Sequence, residues 1–246
     1  MSTLDRRIRT FGRHAPLFYD DPLEFVAGSG VWLTDVHGDR YLDAYNNVPH
    51  VGHAHPRVVE AIREQASRVA HHTRYLNERV VEYGERLLAT FAPELDGLVL
   101  TNSGSESNDL ALRIATQHTG RRGVLVSDYS YHGHTRALAE LTTGLTAHEG
   151  VAPHVRTLRV PDLDGADRGR PPEEVLGEAL DAVDSAIESL RASGDGIAFW
   201  LVDPLFSTEG LVRVPDGFVA AVAERVRRAG GLVVADEVQS GFGRTG

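Results

Sequence analysis

The sequence predicts an α/β fold in which a mainly parallel sheet is covered by helices and preceded by a small antiparallel meander. Three observations carry this. From Asp96 onward, apolar strand-like runs alternate with stretches of helical periodicity. Those runs are short and continuously apolar, as expected of strands buried on both faces. Before them, three short segments are separated by glycine-bearing turns.

The meander strands are expected at Glu24–Ala27, Val31–Thr34 and Arg40–Ala44, with Gly28-Ser29-Gly30 and His37-Gly38-Asp39 as turns. A helix follows over Pro56–Val69, opened by a proline suited to a first turn, with Val58, Val59, Ile62, Ala66 and Val69 on one side. A second is expected over Glu78–Phe91. Then come strands at Leu98–Thr101, Gly123–Ser127, Val155–Val160, Ile197–Asp203 and Leu232–Ala235. Helices are expected at Ser105–His118, Thr135–Thr142, Pro172–Ala192 and Pro215–Ala229. Pro161–Glu174 reads as a loop. The domain division is placed at 1–55 and 56–246. Gly241–Gly246 is loop sequence directly after a strand, so the reading expects the C-terminal part of the domain to be missing from this chain.

Composition narrows the function. The chain has 246 residues, 41% hydrophobic and 24% charged, with a formal net charge of −10. An acidic chain without a cationic stripe is a poor partner for nucleic acid. No apolar run approaches the roughly 20 residues of a membrane helix. Met1–Arg13 is polar and basic without an apolar core, which argues against a secretory signal. With no cysteine, disulfides and thiolate metal sites are excluded, and cytoplasm is the default compartment. The chain also contains no lysine.

Ligands of such sheets sit beyond the C-terminal strand ends, and three motifs fall there. Thr101-Asn102-Ser103-Gly104-Ser105-Glu106-Ser107-Asn108 joins a strand to a helix. Small residues, backbone N–H groups and the helix dipole make it an anion site suited to phosphate, although alone it equally describes a capped helix. Tyr129-Ser130-Tyr131-His132-Gly133-His134 offers an aromatic cover for a planar ring, or a turn with a half-buried tyrosine. Val233 to Gly241 ends a buried strand in Asp236, which could pair with a protonated pyridine nitrogen or cap the next segment. Together the three form the parts of a pyridoxal-phosphate site. A metal reading of His50, His53, His55, His71 and His72 is weakened by the intervening Gly and Pro and by the lack of cysteine, and no metal is assigned.

The sequence resembles the class III (ω-type) pyridoxal-phosphate-dependent aminotransferases of fold type I. The resemblance rests on Thr34 to Asp43, Gly52-His53-Ala54-His55-Pro56, Ser103 to Glu106, Tyr131-His132-Gly133 and Asp236 to Gly246, covering nearly the whole chain in order. It implies pyridoxal 5'-phosphate as cofactor, with Ser103, Gly104 and Ser105 at its phosphate. Tyr131 would stack on the ring with His132 beside it. Asp236 would meet the pyridine nitrogen, Val238 the opposite ring face and Gln239 the ring hydroxyl. The implied activity is amino-group transfer between an amine or amino acid and a keto acid.

Two departures bear on substrate. Asp203-Pro204 stands where many members have Glu-Pro, a Glu that helps position substrate or a switching arginine. Asn46-Asn47-Val48-Pro49-His50-Val51-Gly52-His53 is similar to the phospho-lyase branch, which eliminates phosphate from amines such as O-phosphoethanolamine. Asn47 and Asp203 are therefore the candidate substrate residues. Family members carry their Schiff-base lysine downstream of the Asp-Glu-Val-Gln motif. This chain has none, so no catalytic residue is assigned in it, and the chain alone is expected to be inactive. A fragment of a longer enzyme is the favoured reading; a split enzyme and a non-catalytic cofactor-binding subunit are the others. The family also implies a homodimer, with Tyr75 and Asn77 as interface candidates.

Overall fold

The computed structural model describes residues 1–45, 49–144 and 150–245. The chain divides into two compact units, Met1–Tyr83 and Gly84–Gly246. The division expected after His55 lies inside the first unit.

The first unit opens with a helix that the sequence reading did not propose, α1 (Thr3–Phe11). Its signal is a reciprocal cap: Asp5 N–H donates to Ser2 Oγ, and Ser2 N–H donates to Asp5 Oδ2. The meander then forms as β1 (Phe25–Ser29), β2 (Trp32–Asp35) and β3 (Arg40–Leu42), each antiparallel to the next. Asp35 makes the second turn by accepting the N–H groups of His37 and Asp39 and the Tyr41 hydroxyl. These donors hold its carboxyl below the usual range, against the upward push of burial. Two helices follow, α2 (Pro56–Ala66) and α3 (Glu78–Leu88), each ending about one turn before the apolar pattern does.

The second unit is built on four parallel strands. In chain order its elements are α4 (Gly104–Thr119), β4 (Gly123–Ser127), α5 (Arg136–Ala139), β5 (Val155–Leu158), α6 (Pro172–Ala192), β6 (Ile197–Val202), α7 (Phe218–Arg228) and β7 (Leu232–Ala235). The strand order is β5-β4-β6-β7. Alternation along the strands divides the core. Leu125, Trp200 and Val202 meet Val183, Leu190, Val222 and Val226 of α6 and α7. Val124, Val126, Phe199 and Leu201 meet Ala115, Leu138 and Leu141 on the other face.

Three expectations are corrected. Leu98–Thr101 forms no strand: a strand exists through its ladder, and this segment has no ladder partner among the described residues, leaving Val99 65% exposed. The helix expected over Thr135–Thr142 is a single turn. The Thr142 hydroxyl bonds back to the Leu138 carbonyl at 3.0 Å, and the Thr143 hydroxyl donates to the Ser127 carbonyl at the end of β4. The predicted 161–174 loop ends earlier, because α6 begins at Pro172. The loop is drawn onto buried Asp167, which accepts from Arg159, Arg170 and the Asp162 N–H. Among the described residues, no helix is long and apolar enough to cross a membrane.

Candidate active site

The parallel register decides where the site lies. Val202 of β6 pairs with Ala235 of β7, so the next residues, Asp203 and Asp236, leave the sheet side by side at its C-terminal edge. The pairing runs one step further, with Asp236 N–H donating to Val202 O at 2.7 Å. On the other side of β6, β4 ends at Ser127 and releases the chain into the segment carrying Tyr131 and His132.

Asp236 is the hub. It is 8% exposed and bonds three groups around it. His132 Nδ1 lies 2.9 Å from its Oδ2, and Asn108 Nδ2 donates to the same oxygen at 2.8 Å. Val238 N–H donates to its Oδ1 at 3.2 Å. Burial alone would raise this carboxyl. The hydrogen bond and charge of His132, the Val238 N–H and the Asn108 amide outweigh burial and hold it below the usual range. The group is therefore an anion at neutral pH, buried yet still facing a pocket.

That pocket, of about 250 Å³, is walled on one side by Ser103, Gly104 and Ser105. Tyr131 and His132 form a second wall, Val238 and Gln239 a third, and Asp203 with Ser207 and Thr208 a fourth. Every candidate cofactor residue named from the sequence thus lines one cavity, as does Asp203. Asn47 lies outside the described residues.

The Ser103 wall is the start of α4. Ser103 Oγ accepts the Glu106 N–H at 3.1 Å, as the capping spacing predicts. Glu106, however, reaches to the N–H and side chain of Asn102 instead of back to Ser103. The helix N-terminus places positive dipole and first-turn N–H groups at the pocket. Gly104 keeps that approach open: a Cβ there would stand 2.6 Å from Val238 Cγ2. Gly133, at φ +131°, lets the Tyr131–His134 segment cross the helix start, since a Cβ would fall 2.6 Å from Ser105 Oγ and 2.9 Å from Ser105 Cα. His134 N–H closes the crossing by donating to Ser105 Oγ at 3.3 Å.

Asp203 is drawn inward. Its carboxylate accepts the N–H groups of Leu205 and Ser207, both at 2.9 Å, and the Ser207 hydroxyl. Its oxygens thus serve its own turn.

No local pattern in the sequence gives Asn108 a role. It sits one turn past Ser105 on the same side of α4, is 6% exposed, and ties Asp236 to the His132 carbonyl. Its place at the end of the Thr101–Asn108 motif marks the position without stating the role. Of the histidines weighed as metal ligands, His53 instead pairs with Asp43 at 2.7 Å.

The residues present fit pyridoxal phosphate: an ionised buried carboxylate for a protonated ring nitrogen, a helix N-terminus with a glycine in its first turn for a phosphate, and an aromatic side chain lining the same pocket. Comparison with known proteins agrees. The model of the class III aminotransferases matches residues 19–246, and the chain belongs to that family. It is 36% identical to alanine–glyoxylate aminotransferase 2-like of Drosophila melanogaster over 99% of this chain and 51% of the relative. The chain thus spans about half the length of the curated relatives it matches. Among solved structures, it superposes on a phospholyase from Arthrobacter in complex with phosphoethanolamine, with a TM-score of 0.94 and 61% identity, covering 99% of this chain and 58% of that one. It also superposes on taurine:2-oxoglutarate aminotransferase from Bifidobacterium kashiwanohense in complex with PLP and glutamate, with a TM-score of 0.85 and 27% identity, covering 98% and 56%.

Proposed function

We propose that the complete protein is a pyridoxal-phosphate enzyme that eliminates phosphate from a phosphorylated amino alcohol of the phosphoethanolamine kind. The observation that carries this is the likeness to the Arthrobacter phospholyase, whose 61% identity far exceeds the 36% to the aminotransferase 2-like relative. The site is compatible with it. Asp203 has one methylene fewer than a glutamate and spends its oxygens on Leu205 and Ser207, which leaves it poorly placed to hold a second substrate or a mobile arginine.

In this reading Ser103, Gly104 and Ser105 bind the cofactor phosphate through the α4 N-terminus. Tyr131 and Val238 would pack on the cofactor ring, and Gln239 would meet its hydroxyl. Asp236 holds a proton on the ring nitrogen, while His132 and Asn108 keep it ionised and aimed. The bound cofactor supplies an electron sink for the charge left when a substrate C–H bond opens. Asn47 is the proposed substrate residue, and Asp203 lines the pocket with its oxygens held by Leu205 and Ser207. The complete protein works as a homodimer, with the 69% exposed Tyr75 near the interface.

The test is an assay of the full-length protein with phosphoethanolamine. Phosphate release without any keto acid is the expected outcome. Keto-acid-dependent amine exchange without phosphate release would replace this reading with transamination, the activity that the family match and the Drosophila relative favour. Sedimentation at a monomer mass would remove the dimer.

A further inference from the structure

Tyr131 lines the pocket, yet its side chain makes no hydrogen bond or ring contact among the described residues. Its place is therefore set through the backbone, by the residues on either side. His132 is fixed by Asp236 and Asn108. Ser130, on the other side, is 2% exposed, and its polar groups all go to one short segment, Thr143-Gly144. Ser130 N–H donates to Thr143 Oγ1 at 2.6 Å. The Ser130 carbonyl accepts the N–H groups of Thr143 at 3.1 Å and Gly144 at 2.9 Å. The two side-chain oxygens lie 3.2 Å apart.

The Thr143 hydroxyl is used to capacity. A hydroxyl has one proton and two lone pairs. Thr143 donates its proton to the Ser127 carbonyl at 3.1 Å, so it accepts from both the N–H and the hydroxyl of Ser130. One side chain thus ties the end of β4 to the residue before Tyr131. Gly144 adds a second constraint. A Cβ there would stand 2.9 Å from Thr208 Cγ2 and 3.1 Å from Ser130 O. The segment therefore fills the gap between the backbone that carries Tyr131 and the Thr208 wall of the pocket. Neither Thr143 nor Gly144 lines the pocket itself.

We propose that Thr143 is a positioning residue: its hydroxyl fixes Ser130 and through it holds Tyr131 at the pocket, while Gly144 sets the spacing to the Thr208 wall. This deepens the reading of Tyr131 as the cover of the cofactor ring, and rests on that reading for its effect on binding. The placement of Tyr131 is a property of the chain's own residues and can be measured without cofactor.

Full-length protein labelled with fluorotyrosine is followed by ¹⁹F NMR, first freed of cofactor and then titrated with pyridoxal 5'-phosphate. The Tyr131 signal is the one lost in Tyr131→Phe. Thr143→Val keeps the branched shape and removes the hydroxyl. It should displace or broaden the Tyr131 signal in the cofactor-free protein and leave the other tyrosine signals in place. It should also weaken pyridoxal 5'-phosphate binding by about tenfold, the scale of one lost hydrogen bond. Thr143→Ser, which keeps the hydroxyl, should restore the signal and bind as tightly as wild type. A Tyr131 signal unmoved by Thr143→Val overturns the proposal, and so does a Thr143→Ser protein that behaves like Thr143→Val. If Thr143→Val does not fold, Gly144→Ala decides. Its methyl leaves the Thr143 hydroxyl in place and presses on Ser130 O and Thr208, so an unmoved Tyr131 signal there overturns the proposal. A wild-type Tyr131 signal indifferent to pyridoxal 5'-phosphate would remove the ring-cover reading instead, and the cofactor-free spectra would still decide the role of Thr143.

Discussion

The two compact units make opposite use of similar amphipathic sequence. In Gly84–Gly246 the apolar residues of α6 and α7 are buried on the sheet, with Val183, Leu190, Val222 and Val226 at 1% exposure or less. In Met1–Tyr83 neither α1 nor α2 buries a residue, and Asp35 is the only buried residue among those described. Helical periodicity is equally clear in both. The difference is whether a sheet lies under the apolar stripe. Periodicity therefore states which face a helix offers and leaves open what covers it. Chemistry follows burial: Asp236, His132 and Asn108, all under 9% exposed, belong to the second unit.

The sharpest test of that contrast is the sheet core. Leu125 is fully buried between α6 and the neighbouring strands. Leu125→Ala should cost about 2–5 kcal/mol in a urea titration, the range for leucine truncation in a closed core. A cost near zero would mean that the second unit is no better packed than the first.

Next in size is the hub of the site. Asn108→Ala removes two donated bonds, one of them to an ionised carboxylate. Bonds to charged groups are worth about 1.5–3 kcal/mol, so stability at neutral pH should fall by about that much. The loss should carry a pH signature. Asp236 has a lowered carboxyl in the folded protein, so its contribution is present above the unfolded value of about 3.9 and disappears as pH falls through the lower folded one. The gap between wild type and Asn108→Ala should therefore narrow on acidification. A gap constant from pH 7 to the acid limit would mean that Asn108 supports the backbone at His132 and does little for Asp236.

Glu209 gives the opposite sign. Its carboxyl is raised in the fold, so it destabilises the folded protein increasingly as pH rises from the unfolded value through the folded one. Glu209→Gln should thus raise the thermal midpoint at pH 8 and change it little at pH 4. Equal effects at the two pH values would show that Glu209 is not held as a buried acid.

How much of this was legible in the sequence depended on the range of the interaction. The strands of the second unit, α6 and α7 were readable because continuous apolar runs and one-sided stripes are local patterns. The pocket residues from Ser103 to Gln239 were readable because two of the motifs leave the ends of β4 and β7, which parallel topology gathers, and the third opens α4. Asn108 and Glu209 were not given roles. Their parts depend on partners 128 and 82 residues away, at Asp236 and Ser127, which no local pattern encodes. Leu98–Thr101 failed for the converse reason: it has strand composition, but strand formation requires a ladder partner. The α1 cap, Ser2 with Asp5, was local and visible, but the aspartate stands where a glutamate or glutamine is the usual signal.

The smallest predicted effect separates the two units most cleanly. Ile62 lies on the apolar stripe of α2, the same kind of position that Val222 holds on α7, yet it is 64% exposed while Val222 is at 0%. Its periodicity predicts a core residue; its surroundings in this chain predict a surface one. In the 246-residue chain, Ile62→Ser should change stability by no more than about 0.5 kcal/mol, as surface substitutions do. The matched change Val222→Ser should cost several times that, because it adds a buried hydroxyl to a lost side chain. If the two substitutions cost the same in this chain, the apolar face of α2 is covered, and the contrast between the units dissolves. If Ile62→Ser is silent here but costly in the full-length protein, that face is completed by residues outside this chain, and the difference between the two values measures the cover.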